Sequence, residues 1–76
     1  MTLDQLPRGA GAVVTALDSR GAERRRLMDL GLLPGSEVVG DMTSPLGDPT
    51  AYLVRGSVIV LRRAQSRCVH VELVTT

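Results

Sequence analysis

The stretch Leu27-Met28-Asp29-Leu30-Gly31-Leu32-Leu33-Pro34-Gly35 decides how this chain folds, because it carries two backbone reversals in succession. A basic run, Glu23-Arg24-Arg25-Arg26, precedes it, and beyond it the chain reads as strands. Gly31 suits the position just past a helix C-terminus, where the backbone turns left-handed and a side chain costs energy. In a Schellman ending the amide of Leu32 bonds the carbonyl of Leu27, and the two side chains touch. Leu33-Pro34-Gly35-Ser36 then fits a type II turn, with proline presetting the first central dihedral and glycine supplying the positive second one. The joint is therefore expected to be rigid, with leucines on both sides. Leu27 and Leu30 are expected in the core. Met28, roughly 100° around the helix axis from Leu27, falls at the edge of that face. Leu33 is left open between core and surface.

Toward the N-terminus, Thr2-Leu3-Asp4-Gln5 has the capping-box pattern of a single helical turn, closed by Pro7. Arg8-Gly9-Ala10-Gly11 reads as a loop whose two glycines would let the backbone pass close to a neighbouring strand. Residues 12–17 form the first expected strand, with Val13, Val14 and Leu17 inward. Asp18-Ser19-Arg20-Gly21 breaks this strand and offers N-cap candidates for a helix over 22–30. Glu23 complements the dipole in its first turn. Asp29 stands one turn beyond Arg25 and Arg26, at the spacing of a helical ion pair.

Toward the C-terminus, a second strand is expected over 37–42, bent at Gly40. The connection 43–49 contains Pro45, Gly47 and Pro49 and reads as a shaped loop, with Asp48 extended because proline follows it. A third strand over 50–55 and a type II′ hairpin at Gly56-Ser57 lead into a fourth over 58–61, read as buried on both faces. Residues 62–67 make a short turn. The last strand, 68–74, alternates Val69, Val71 and Leu73 inward with Cys68, His70 and Glu72 outward. Five short strands cannot fill two sheets at this length. The expectation is one mainly β domain over 1–76: a small five-stranded barrel, a helix inserted between its first two strands, and a short N-terminal helical turn.

With 76 residues the chain buries only about 60% of its unfolded surface, so the core must be compact. Tyr52 is the only aromatic residue. All nine basic residues are arginines, against eight acidic ones, for a net charge of +1. Balanced charge without stacking aromatics makes nucleic acid an unlikely partner. A single cysteine excludes an internal disulfide and suits a reducing compartment. No apolar run reaches signal-peptide or membrane-spanning length, so a cytoplasmic location is expected. There is one histidine, no activated nucleophile and no phosphate-binding glycine motif, which argues against catalysis. Cys68 and His70, two apart on a strand, are a metal-shaped pair. Structural and catalytic sites take three or four protein ligands, so an ordinary outward-facing pair is the reading preferred, with a site shared between two chains as the alternative.

Leu30-Gly31-Leu32-Leu33-Pro34-Gly35, followed by Pro45-Leu46-Gly47-Asp48-Pro49, then Gly56 and Val58-Ile59-Val60-Leu61-Arg62-Arg63, resembles the FeoA family. Arg26-Leu27, ahead of the glycine, fits the same pattern. The resemblance covers nearly the whole chain. It implies an SH3-like barrel, no enzymatic activity and no cofactor. It also implies a role in bacterial ferrous iron uptake, with transition-metal binding known only at the family level. The implied partner is the membrane Fe²⁺ permease, a FeoB-like GTPase, through its cytosolic part. Contacts are expected from Leu27, Met28, Leu33, Leu46 and Asp48, with Arg24 and Arg25 as supporting charges. The joint and the loop 45–49 would form the edge of one binding groove. Gly31, Pro34, Gly35, Gly47, Pro49 and Gly56 are the structural turn residues. A regulatory or nucleic-acid-binding small barrel, related to repressor SH3-like domains, is the alternative, and a direct iron carrier ranks last. Exposed strand edges would permit weak self-association.

Overall fold

A computed structural model describes residues 1–43, 45 and 47–74, with the side chain of Thr43 left aside. After a 3₁₀ turn at Leu3–Gln5, the elements are β1 (Gly11–Leu17), α1 (Gly21–Asp29), β2 (Glu37–Thr43), β3 (Thr50–Val54), β4 (Ser57–Leu61), α2 (Arg63–Ser66) and β5 (Val69–Leu73). The strands form one antiparallel sheet in the order β4-β3-β2-β1-β5. Register shifts in β1, between Val14 and Ala16, and in β2, between Gly40 and Thr43, mark where the sheet bends around its core.

The joint forms as the local chemistry dictates. Gly31 has φ +98°, its amide donates to the Met28 carbonyl at 2.9 Å, and the Leu32 amide donates to the Leu27 carbonyl at 3.2 Å. These are the two bonds of the Schellman ending. Gly35 has φ +93° and Ser36 N–H closes the type II turn on the Leu33 carbonyl at 2.9 Å. Leu27 and Leu32 are fully buried. Leu30, expected inside, is 37% exposed. The reversal at Gly31 carries the chain back over the helix end, so Leu32 fills the place that helical spacing assigns to Leu30.

Other expectations shift for reasons of packing. Ala12, Val14 and Leu17 point inward from β1, and Val13 is only half-buried. The hairpin loop is Arg55-Gly56, with φ +53° and +83°, which makes it a type I′ turn closed by Val54 and Ser57. On β4 only Ile59 and Leu61 face the core; Val58 and Val60 are exposed, so the strand is covered on one face. Leu73 is likewise exposed at the end of β5. The loop 8–11 does pass close to a strand, β2: Gly9 N–H donates to the Gly40 carbonyl at 2.8 Å, and Gly40 N–H to the Ala10 carbonyl at 3.0 Å. The missing Cβ that this approach requires is that of Gly40, since an added carbon at Gly9 or Gly11 would meet nothing within 4 Å. Helix α1 takes Arg20 as N-cap with no side-chain cap. The Asp18 carboxylate turns to His70 instead. Among the described residues Asp29 forms no ion pair with Arg25 or Arg26.

Tyr52 is the largest fully buried side chain. Its hydroxyl donates to the Leu3 carbonyl at 3.4 Å, tying β3 to the N-terminal turn. Burial pushes the phenol above its ordinary pKa of 10.0, while hydrogen bonding with Ser66 and Thr50 pulls it the other way.

Candidate partner-binding surface

Two surfaces collect the residues singled out in the sequence. The first lies on α1, where Gly21, Arg24, Arg25, Met28 and Asp29 line an open depression of ≈440 Å³. The arginines are there because the apolar stripe of this helix is narrow: only Leu27 is fully buried, leaving the rest of the circumference to solvent. Arg24 donates from Nη1 to the Leu17 carbonyl at 3.3 Å, which holds the helix against the end of β1. Gln65 of α2 donates to Glu23 Oε1 at 3.5 Å on the other side. Arg25 is exposed, and Met28 is half-buried against the core. Leu27, expected as a contact, faces the interior and holds this surface in place without forming part of it. Leu33 is half-buried beside the turn. Leu30 stands exposed at the helix end; its position one residue before the C′ glycine was the available signal, since the chain turns away there.

The second surface lies where the loop 45–49 meets α2. The Arg63 backbone N–H donates to Asp48 Oδ1 at 2.9 Å, and the Arg63 guanidinium donates to the Gly47 carbonyl at 3.4 Å. These bonds dock the loop on the start of α2. Asp48 therefore serves as an anchor of the loop, although it is exposed. The Asp48–Pro49 peptide is cis. Asp4, Leu6, Gly47, Thr50, Tyr52, Arg63 and Ser66 line a depression of ≈190 Å³ beside it. Leu46, expected as a contact, lies outside the described residues.

Among the described residues the joint and the loop do not line one groove. The joint packs at the end of β3, where a Cβ on Gly31 would stand 3.2 Å from Val54 Cγ1. The loop enters β3 at the opposite end, at Thr50. The two depressions share no lining residue.

Cys68 and His70 take different partners. Cys68 precedes β5, and its thiol donates to the Ala64 carbonyl at 3.5 Å. His70 Nε2 stands 2.5 Å from Asp18 Oδ2. Among the described residues no group of three or more His, Cys, Asp or Glu side chains converges as a metal site would require.

The family model described as FeoA domain matches residues 1–73. The chain belongs to the FeoA domain family. A curated relative of this FeoA chain is the Fe(2+) transport protein A/Fe(2+) transporter FeoB fusion protein of Porphyromonas gingivalis, 30% identical over 76 residues. That match covers 100% of this chain and 9% of the relative, so the chain spans less than a tenth of that protein's length. The solution structure of the FeoA protein of Chlorobium tepidum superposes with a TM-score of 0.92 at 36% identity, covering 99% of this chain and 71% of that one. The zinc-complexed FeoA of Stenotrophomonas maltophilia superposes with a TM-score of 0.84 at 33% identity, covering 95% of this chain and 89% of that one. It is described as an SH3 domain protein and a candidate activating factor of bacterial ferrous iron transport. The FeoA chain described here shares that mainly β, SH3-like fold.

Proposed function

We propose that this chain is a non-enzymatic accessory of ferrous iron uptake that acts by binding the cytosolic part of a FeoB-type permease. One observation carries the reading: in the Porphyromonas gingivalis relative, a segment aligned with this whole chain belongs to the same polypeptide as a FeoB transporter. Fusion places the two at high effective concentration, an advantage for two parts that work in contact. The surface supports an interaction role. On α1 Arg24, Arg25 and Asp29 flank the half-buried, adaptable Met28, the pairing of a polar rim with an apolar centre that protein interfaces use. Leu33, half-buried beside the turn, is kept as a contact, and Leu46 is kept on its sequence position alone. No helix among the described residues is long and apolar enough to cross a membrane, so the chain meets the permease from outside the bilayer in this reading.

Biolayer interferometry against the isolated cytosolic domain of a FeoB-type permease tests the proposal. Saturable binding that weakens with added salt is expected. No binding at any salt concentration by folded protein would overturn it.

A further inference from the structure

We infer that the free edge of β4 pairs antiparallel with β4 of a second copy of this chain, about a two-fold axis through Ile59. The two edges of the sheet are treated differently. At β5, Met1 and Val71 exchange backbone bonds of 2.8 and 3.2 Å, and Thr2 bridges His70, so the N-terminal residues cover that edge. At β4, β3 is the only paired neighbour among the described residues.

The register says which groups β4 leaves free. A two-residue loop makes Val54 and Ser57 a bonded pair. Alternation then assigns bonded pairs to Tyr52 with Ile59 and Thr50 with Leu61. The amides and carbonyls of Val58 and Val60 consequently point away from β3, toward the open edge. The side chains of the same two residues stand on the outer face, each 59% exposed. Leu53 and Ala51 lie beside them on β3, and Val39 lies beside Leu53 on β2, so the outer face is apolar three strands deep.

Ser57-Val58-Ile59-Val60-Leu61 also lacks every usual protection of an edge: charge, proline, internal glycine or bulge. Its central triplet, Val58-Ile59-Val60, is symmetric about Ile59. A two-fold pairing sets Val58 of each copy opposite Val60 of the other, so four backbone bonds form and valine meets valine twice on the outer face. The nearest charged residues, Arg55 and Arg62, fall beyond the paired segment. This self-match selects a second copy over a foreign strand. Five residues per strand bury far less than the ~1,200 Å² of a standard stable interface, so the association is weak and reversible.

The test is sedimentation equilibrium from ~10 µM to ~1 mM protein, a span over which a weak dimer populates, combined with amide exchange. The wild type is expected to move from the 8.1 kDa monomer toward twice that mass. Exchange at Val58 and Val60 is expected to slow as the mass rises. The double variant Val58→Lys, Val60→Lys, at two exposed positions, is expected to stay monomeric with an unchanged circular dichroism spectrum. A wild type that remains monomeric throughout, or a dimer whose Val58 and Val60 amides exchange at the monomer rate, would overturn the inference. So would protection of these amides by a FeoB-type cytosolic domain in the absence of self-association. The wild-type measurements stand even if the double variant does not fold.

Discussion

Gly40 lies against the carbonyl of Pro7 so closely that a Cβ there would stand 2.5 Å from the Pro7 oxygen. This contact lets the N-terminal segment cross β2, and with it come Leu3 and Leu6, two members of the buried core. The obstructing atoms are backbone and cannot swing aside as the end of a flexible side chain would. Gly40→Ala is expected to destabilise the protein by about 1–3 kcal/mol, the range of an overpacked interior. Gly11→Ala, where nothing lies within 4 Å of the added carbon, should change stability by less than about 1 kcal/mol. Urea midpoints measured side by side check the contrast; equal midpoints would refute it.

Leu27 and Leu30 separate core from surface within one turn of α1. Leu27 is fully buried, so Leu27→Ala should cost about 2–5 kcal/mol. Leu30 is exposed, and Leu30→Ala should cost below about 1 kcal/mol. Thermal unfolding followed by circular dichroism ranks them. A Leu30 variant as damaged as the Leu27 variant would contradict this placement.

Tyr52 offers a spectroscopic reading, because it is the only tyrosine in a chain without tryptophan. Burial raises its folded pKa above the unfolded value of about 10, so the unfolded state gives up the proton first. Its effect on stability is therefore constant below that pH and is lost progressively as pH rises through the folded value. Phenolate absorbance should appear at higher pH in native protein than in protein unfolded by guanidinium. The part of the alkaline stability loss that belongs to Tyr52 should vanish in Tyr52→Phe. Coincident native and unfolded titrations would count against it.

On the α1 surface, Arg25→Glu and Met28→Glu are expected to weaken association with a FeoB-type cytosolic domain. Arg25→Glu leaves the fold intact, and Met28→Glu, at a half-buried position, is compared as protein shown to be folded by circular dichroism. Arg25 is exposed, so reversing its charge should act mainly through the association rate, by up to ~10-fold, and its effect should shrink at high salt. Placing a carboxylate at the apolar centre should act through the dissociation rate. Rate constants from surface plasmon resonance distinguish the two, and unchanged kinetics in both variants would remove α1 from the interface.

The sequence by itself determined the helix end at Gly31, the turn at Pro34-Gly35 and the division into five strands and an inserted helix. Each depends on dihedral preferences or periodicity confined to a few consecutive residues, so the information is local. The motifs carrying the FeoA resemblance were legible for the same reason. Only the tertiary structure decided which face of each element is covered. Val58, Val60 and Leu73 look like core by composition, yet β4 and β5 stand at the sheet edges, where burial depends on neighbours distant in the chain. Leu32 displaced Leu30 because the reversal at Gly31, and not helical spacing, sets the direction of the next side chain. The distance between the joint and the loop 45–49 was likewise a matter of topology: both border β3, but at opposite ends. Long-range pairing placed them there, and no pattern within either segment encodes it.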